Sequence, residues 1–183
     1  MDDNTQLKIF TIGYKHKTIN PDINAFIYSL EFYGITSLID IRPDPMPTDF
    51  PEFDRGHLHQ SCEDKDIVYH WAGLQLGNSV NSLEVSKHDA LQDINLRAYA
   101  DYMGTRNFQI AAAQVINMAR LGTVALFSEL IEPEKNFRVL LSDYLLLQGM
   151  QVNHIISVDD LREHLLHKCA RRESVELIYD KLD

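Results

Sequence analysis

The chemistry this chain can offer gathers at Asp40 and Arg42. They close the apolar run Ser37-Leu38-Ile39-Asp40-Ile41 and are followed at once by Pro43 and Pro45. The run has the composition of a strand buried on both faces. Residues two apart on a strand leave the same face, and the prolines force a loop directly afterwards. An acid and a guanidinium at the carboxyl end of a buried parallel strand stand where open α/β sheets place their ligands. Arg138 falls in the first turns of a helix expected after the fourth strand, where a guanidinium beside free N–H groups suits a phosphate or a carboxylate. Three readings stay open for this set. It can bind an anion through Arg42 and Arg138 with Asp40 orienting one of them. It can use Asp40 as a general base with the arginines stabilising negative charge. It can also be an ion pair that holds two loops together.

Other residue types have weaker geometry behind them. His57 and His59, with His70 and Glu129 as imaginable partners, are of metal-ligand type. Their x-His-x-His spacing shares a face only on a strand, whereas the segment reads as helix, so no zinc or iron is expected at His57, His59 or Ser128. Ser128 needs a base within hydrogen-bond reach to be a nucleophile and lacks the glycines of a nucleophile elbow. Cys62 has Glu63 and Asp64 beside it and no cation to lower its thiol pKa, so an inert thiol is expected. Tyr99, Tyr102 and Met103 could line a pocket for a planar ligand, but their helical spacing equally suits a core stripe. Gly13 closes the first strand without a glycine-rich repeat, so no dinucleotide fingerprint is present and no cofactor is expected.

Composition bounds the alternatives. At 183 residues, 45% hydrophobic and 24% charged, the chain suits one well-buried core. No apolar run approaches the ~20 residues of a membrane span. The net charge of −10 repels polyanions, which argues against nucleic acid as a partner. Lys15-His16-Lys17 and Arg171-Arg172 read as solvated charge. The acidic, polar N-terminus has no basic stretch of a secretory signal, and Cys62 and Cys169 make no disulfide framework, so a cytoplasmic setting is expected.

Strand and helix signals alternate along the chain. Strands are expected at 7–12, 36–41, 67–71, 124–128 and 151–156. Helices are expected from Asn20-Pro21-Asp22 to Gly34, around 54–62 and over 96–103. Further ones run from Thr105 to Gly122 and from Pro133 to Gly149. Residues 72–93 read as a long loop, and Ser157-Val158-Asp159-Asp160 as the cap of a last helix reaching towards Leu177. Such alternation implies parallel pairing with helices on both faces. With the first and fourth strands as neighbours, Gly13 and Ser128 fall side by side, flanked by Asp40.

Several of these segments together resemble the family catalogued as domain of unknown function 488. They are Thr11-Ile12-Gly13, Asp40-Ile41-Arg42 with Pro45, Pro51-Glu52-Phe53 and Leu76-Gly77. Tyr99-Ala100-Asp101-Tyr102-Met103 with Thr105 and Phe108, then Pro133 with Arg138, and Val152-Asn153-His154-Ile155 complete the set. The resemblance runs in order over about residues 7–156 and implies an α/β fold with no established activity. The resemblance also implies a cysteine at the end of the fourth strand, an acid two residues on, and a Cys-His-Arg triplet entering the next helix. Here those positions hold Ser128, Leu130, Asn136, Phe137 and Arg138, so of that set only the arginine is present. Glu129 is displaced by one residue, which on a strand points it to the other face.

The expectation is one α/β domain over residues 1–183, with a mostly parallel sheet of about five strands and a C-terminal helical extension over 157–183. It binds a small anionic ligand, phosphate- or carboxylate-bearing, through Gly13, Tyr14, Asp40, Arg42, Ser128 and Arg138, without catalysis and without metal. The rivals are a divergent enzyme built on Asp40, and a protein-interaction or homodimer module using the long loop or the C-terminal helix.

Overall fold

The computed structural model describes residues 6–47, 49–77 and 85–181. The strands are β1 (Lys8–Ile12), β2 (Ser37–Asp40), β3 (Val68–Trp71), β4 (Val124–Phe127), β5 (Gln151–Ser157) and β6 (Asp160–Glu163). They form one sheet in the order β3-β2-β4-β1-β5-β6. The first five are parallel, and β6 returns antiparallel along β5. The helices are α1 (Ile23–Phe32), α2 (Arg55–Glu63), α3 (Ile94–Met103), α4 (Arg106–Leu121) and α5 (Arg138–Leu147). The carboxylates of Asp22, Asp54 and Asp93 and the hydroxyl of Thr105 cap the first four, each accepting from a backbone N–H of the first turn.

The sheet divides two apolar layers. Phe26, Leu30, Leu58 and Cys62 of α1 and α2 pack on Leu38, Ala125, Phe127 and Ile155. Tyr99, Phe108, Val115 and Leu140 of α3, α4 and α5 pack on Ile9, Ile39, Leu126 and Val152 of the opposite face. Neighbouring residues of one strand thus serve different layers, and helices cover both faces as the alternating pattern predicts. Truncating any of the fully buried leucines among these would cost about 2–5 kcal/mol.

β1 and β4 are neighbours, yet the chain leaves β1 towards α1 on one face and β4 towards α5 on the other. That divergence is the switch point at which such sheets open a crevice above their carboxyl ends.

Among the described residues the mostly parallel sheet has six strands, in keeping with the expected five or so, and one expectation is corrected. The expected helical extension over 157–183 is instead β6 followed by a separate hairpin, β7 (Ala170–Glu173) with β8 (Glu176–Tyr179). Ser157 accepts from the backbone N–H of Asp159 at 3.2 Å, making a turn into β6 and not a helix cap. Leu165 and Val175, which a helical face would have buried, are 80% and 74% exposed, while Ala170, Leu177 and Tyr179 pack inward. In the expected long loop, Gly73–Gly77 forms one wide helical turn against the backbone of Arg42, and residues 78–84 lie outside the described residues.

Candidate functional site

The crevice above β1 and β4 is closed by main chain. Beyond the strand ends the two backbones keep pairing. Ser128 N–H donates to the Ile12 carbonyl at 3.0 Å, and Tyr14 and Lys15 N–H donate to that of Glu129 at 3.0 and 2.8 Å. Ile131 N–H then donates to the Lys15 carbonyl at 3.1 Å. This approach needs Gly13, because a Cβ there would lie 2.0 Å from the Leu130 carbonyl oxygen. Lys15 and Glu129 pair at 3.0 Å on the rim. Open space is left on either side of this seam.

On the β2 side lies a cleft of about 500 Å³, bounded by Tyr14, Arg42, Asp44, Phe50, Ser128, Asn136 and Phe137. Asp40, at the end of β2 and fully buried, holds Arg42 in a fork. Oδ1 accepts from Arg42 Nε at 2.9 Å and from its backbone N–H at 3.0 Å, and Oδ2 accepts from Nη2 at 2.6 Å. The Tyr69 hydroxyl, which shares that face of the sheet, donates to Oδ2 at 2.6 Å. The guanidinium lies 4.5 Å from the Phe127 ring and 5.6 Å from that of Tyr14. Burial works against its charge, but the hydrogen bond and charge of Asp40 outweigh that and raise its pKa. Burial first, then Asp40, pushes the Tyr69 hydroxyl upward. After these contacts Arg42 Nη1 has no partner although it is buried, and neither has Ser128 Oγ.

Arg138 does not join Arg42 at the cleft wall. It opens α5, where its backbone N–H donates to Asn136 Oδ1 at 3.0 Å, and its side chain turns beneath the loop so that Nη2 donates to the Ile131 carbonyl at 2.8 Å. It is wholly buried, with Nε and Nη1 unpartnered, and burial brings its pKa down to about 9. Arg42 lies over Phe127 on the α1 side of the sheet, whereas Arg138 is set against the α5 side, where its charge is felt by His154. The Ser128 hydroxyl has no base in contact.

The remaining candidates are dispersed. His57 bonds the capping carboxylate of Asp54 at 2.8 Å, His59 lies against the Tyr69 ring, and His70 borders a separate groove beside α4. Among the described residues no group of three His, Cys, Asp or Glu side chains is arranged to hold a metal. Cys62 is buried, and burial pushes its thiol up to about 12. The Tyr99 and Tyr102 hydroxyls donate to the Leu76 and Gln75 carbonyls at 2.6 and 2.8 Å, which ties α3 to the turn after β3.

A second buried polar set lies on the α5 side. Thr11 Oγ1 and His154 Nδ1 are 2.7 Å apart, His154 Nε2 and His164 Nδ1 3.0 Å, and His164 Nε2 and Asp143 Oδ1 2.7 Å. Asp143 also accepts from the His167 backbone N–H at 3.0 Å and from the Tyr179 hydroxyl at 3.0 Å. With Asp143 as final acceptor, the simplest proton order runs Thr11 to His154 to His164 to Asp143, each imidazole donating through Nε2. Burial first, then His164, Arg138 and Arg162, lowers the pKa of His154 to about 3. Sequence reasoning missed this chain and the Tyr69 contact. Alternation along Val68-Tyr69-His70-Trp71, which sets Tyr69 on the Asp40 face, was the available signal for the latter.

The model of the family described as domain of unknown function DUF488 matches residues 22–145, more than half of the chain. No curated protein and no solved structure matches. Among the described residues no helix is long and apolar enough to cross a membrane. The matched span contains Asp40, Arg42, Ser128 and Arg138, the helices α1 to α4 and most of α5, and the chain belongs to the DUF488 family.

Proposed function

We propose that the chain binds a small anionic ligand, phosphate- or carboxylate-bearing, in the cleft between Arg42, Ser128 and the start of α5, without catalysing a reaction. One observation carries this reading: Arg42 Nη1 and Ser128 Oγ are buried without partners and both residues line the same cleft. Leaving such groups unpaired costs about 1–3 kcal/mol each, and a ligand oxygen would satisfy them. Asp40 fixes the guanidinium beforehand, so little rotamer entropy remains to be lost on binding. Asn136 and Phe137, just before α5, also line the cleft, so the positive end of that helix dipole favours an anion there.

Asp40 serves here as the residue that positions Arg42. Both its oxygens are engaged by Arg42 and Tyr69, which leaves no lone pair aimed into the cleft for a general base. The acids on the cleft rim, Asp44, Asp49 and Glu129, and the net charge of −10 favour a compact anion over a nucleic acid. Two free thiols suit a cytoplasmic setting.

The test is calorimetric titration with inorganic phosphate. Saturable binding is expected, weakened at least tenfold by Arg42→Lys, which keeps a cation against Asp40 but lacks the planar fork. Absence of saturable binding, or indifference to Arg42→Lys in protein whose circular dichroism is unchanged, would overturn the reading.

A further inference from the structure

On the other side of the seam, above the carboxyl ends of β1 and β5, lies a second cavity of about 450 Å³. Ile12, Pro21, Phe26, Phe53, Ile131 and Ile155 are among its apolar lining, and Tyr14 borders both this cavity and the Arg42 cleft. Three of the polar side chains at its edge are engaged locally. Asp22 accepts from the Asn24 backbone N–H at 2.8 Å, Ser29 donates to the Ala25 carbonyl at 2.9 Å, and His16 Nδ1 lies 3.1 Å from the Thr18 hydroxyl. An anion entering here would lose its water and meet the Asp22 carboxylate, whereas an apolar group would lose nothing. Ile19, in the loop at the cavity edge, is 66% exposed and has apolar surface to offer an occupant.

Among the described residues Tyr14 lines both spaces. It stacks on Phe53 with centroids 4.4 Å apart and an interplanar angle of 18°, while the Arg42 guanidinium carbon is 5.6 Å from its centroid. A guanidinium with an open donor on one side of an aromatic ring and an apolar chamber on the other are complementary to the two ends of one amphiphile. We infer that the ligand is an amphiphilic phosphate monoester or carboxylate whose oxyanion meets Arg42 and Ser128 and whose short alkyl or acyl chain passes Tyr14 into the chamber between α1 and β5. This rests on the anion reading above and adds the ligand's second half.

The experiment compares inorganic phosphate with butyl, hexyl and octyl phosphate by calorimetry. Affinity is expected to rise about fourfold for each methylene that reaches the chamber, the equivalent of ~0.8 kcal/mol per buried CH₂. Ala25→Phe places a ring in the chamber from an exposed helix position and should bring hexyl phosphate down to the affinity of inorganic phosphate. Phosphate binding with no dependence on chain length, or a chain-length dependence that survives Ala25→Phe, would overturn the inference and leave the anion site standing. Tightening with chain length that ignores Arg42→Lys would separate the chamber from the anion, overturning both the joint ligand and the anion reading. No binding by any of the four would overturn both as well.

Discussion

The Asp40–Arg42–Tyr69 cluster and the Thr11–His154–His164–Asp143–Tyr179 chain are buried on opposite faces of one sheet, and they differ in how they end. Beginning at the hydroxyl of Thr11, the chain passes from donor to acceptor until Asp143 gathers its last three donors. The Arg42 cluster stops one bond short, with Nη1 open and the Ser128 hydroxyl open beside the same cleft. A completed polar network contributes to the uniqueness of a core, whereas an incomplete one that borders a cavity carries the free energy a ligand can collect. The contrast teaches that burial of charge alone does not mark a site; an unmet bond beside a space does.

Substitutions can break or sharpen that contrast. The largest effect is expected from Asp40→Ala, which strands the Arg42 cation and the Tyr69 hydroxyl and should lower stability by about 3–5 kcal/mol in urea unfolding. A loss under ~1 kcal/mol would mean that the fork contributes little. Asp143→Asn removes charge from the acceptor of three donors and should cost about 2–3 kcal/mol by the same measurement. Thr11→Val takes away the first hydroxyl of the closed chain, leaves His154 Nδ1 unsatisfied and should cost about 1–3 kcal/mol.

Acid distinguishes the two sets further. His154 is held at about 3 in the folded protein, against an ordinary 6.5. Between those values the unfolded chain takes up a proton that the folded one refuses. Stability should therefore fall as pH drops below about 6.5, on the order of 1 kcal/mol per unit. His154→Gln should flatten that slope, and an equal slope in the variant would remove His154 as its source. Arg42 and Tyr69, both pushed upward, hold their protons throughout this range. The last effect is opposite in sign and the most discriminating. Ser128→Ala deletes a buried hydroxyl just as Thr11→Val does, yet stability should hold or rise, by up to about 1–3 kcal/mol, because no bond is lost and an unpaired buried group is removed. Its cost should appear instead in phosphate affinity.

Much of the frame was legible from residue order. The apolar run into Asp40, the prolines after Arg42 and Thr105 at the start of α4 are local signals, and the structure places them where the pattern did. The neighbouring of β1 and β4, with Gly13 beside Ser128, follows from right-handed crossovers on both faces. The side of the sheet taken by Arg138 was not legible, because the short turn at Pro133–Lys135 precedes α5 and resets its phase. The C-terminal strands were hidden by Ser157, Asp159 and Asp160, which serve a turn as readily as a helix cap. That misreading also concealed the chain of histidines. His164 follows β6 directly, and its partners come from residues 143 and 154, on a helix and on another strand. Such a network leaves no periodic trace.

The seam over β1 and β4 has a consequence for when the molecule becomes able to bind. It joins backbone positions such as Lys15 and Glu129 that are 114 residues apart, and it forms the shared wall of both cavities. Contacts of that separation close late, after their loop entropy has been overcome. A nascent chain that has not yet delivered Ile131 has neither chamber. A ligand would thus engage only molecules in which the first strand has already met the fourth, and its grip would count completed sheets and ignore every partly folded form.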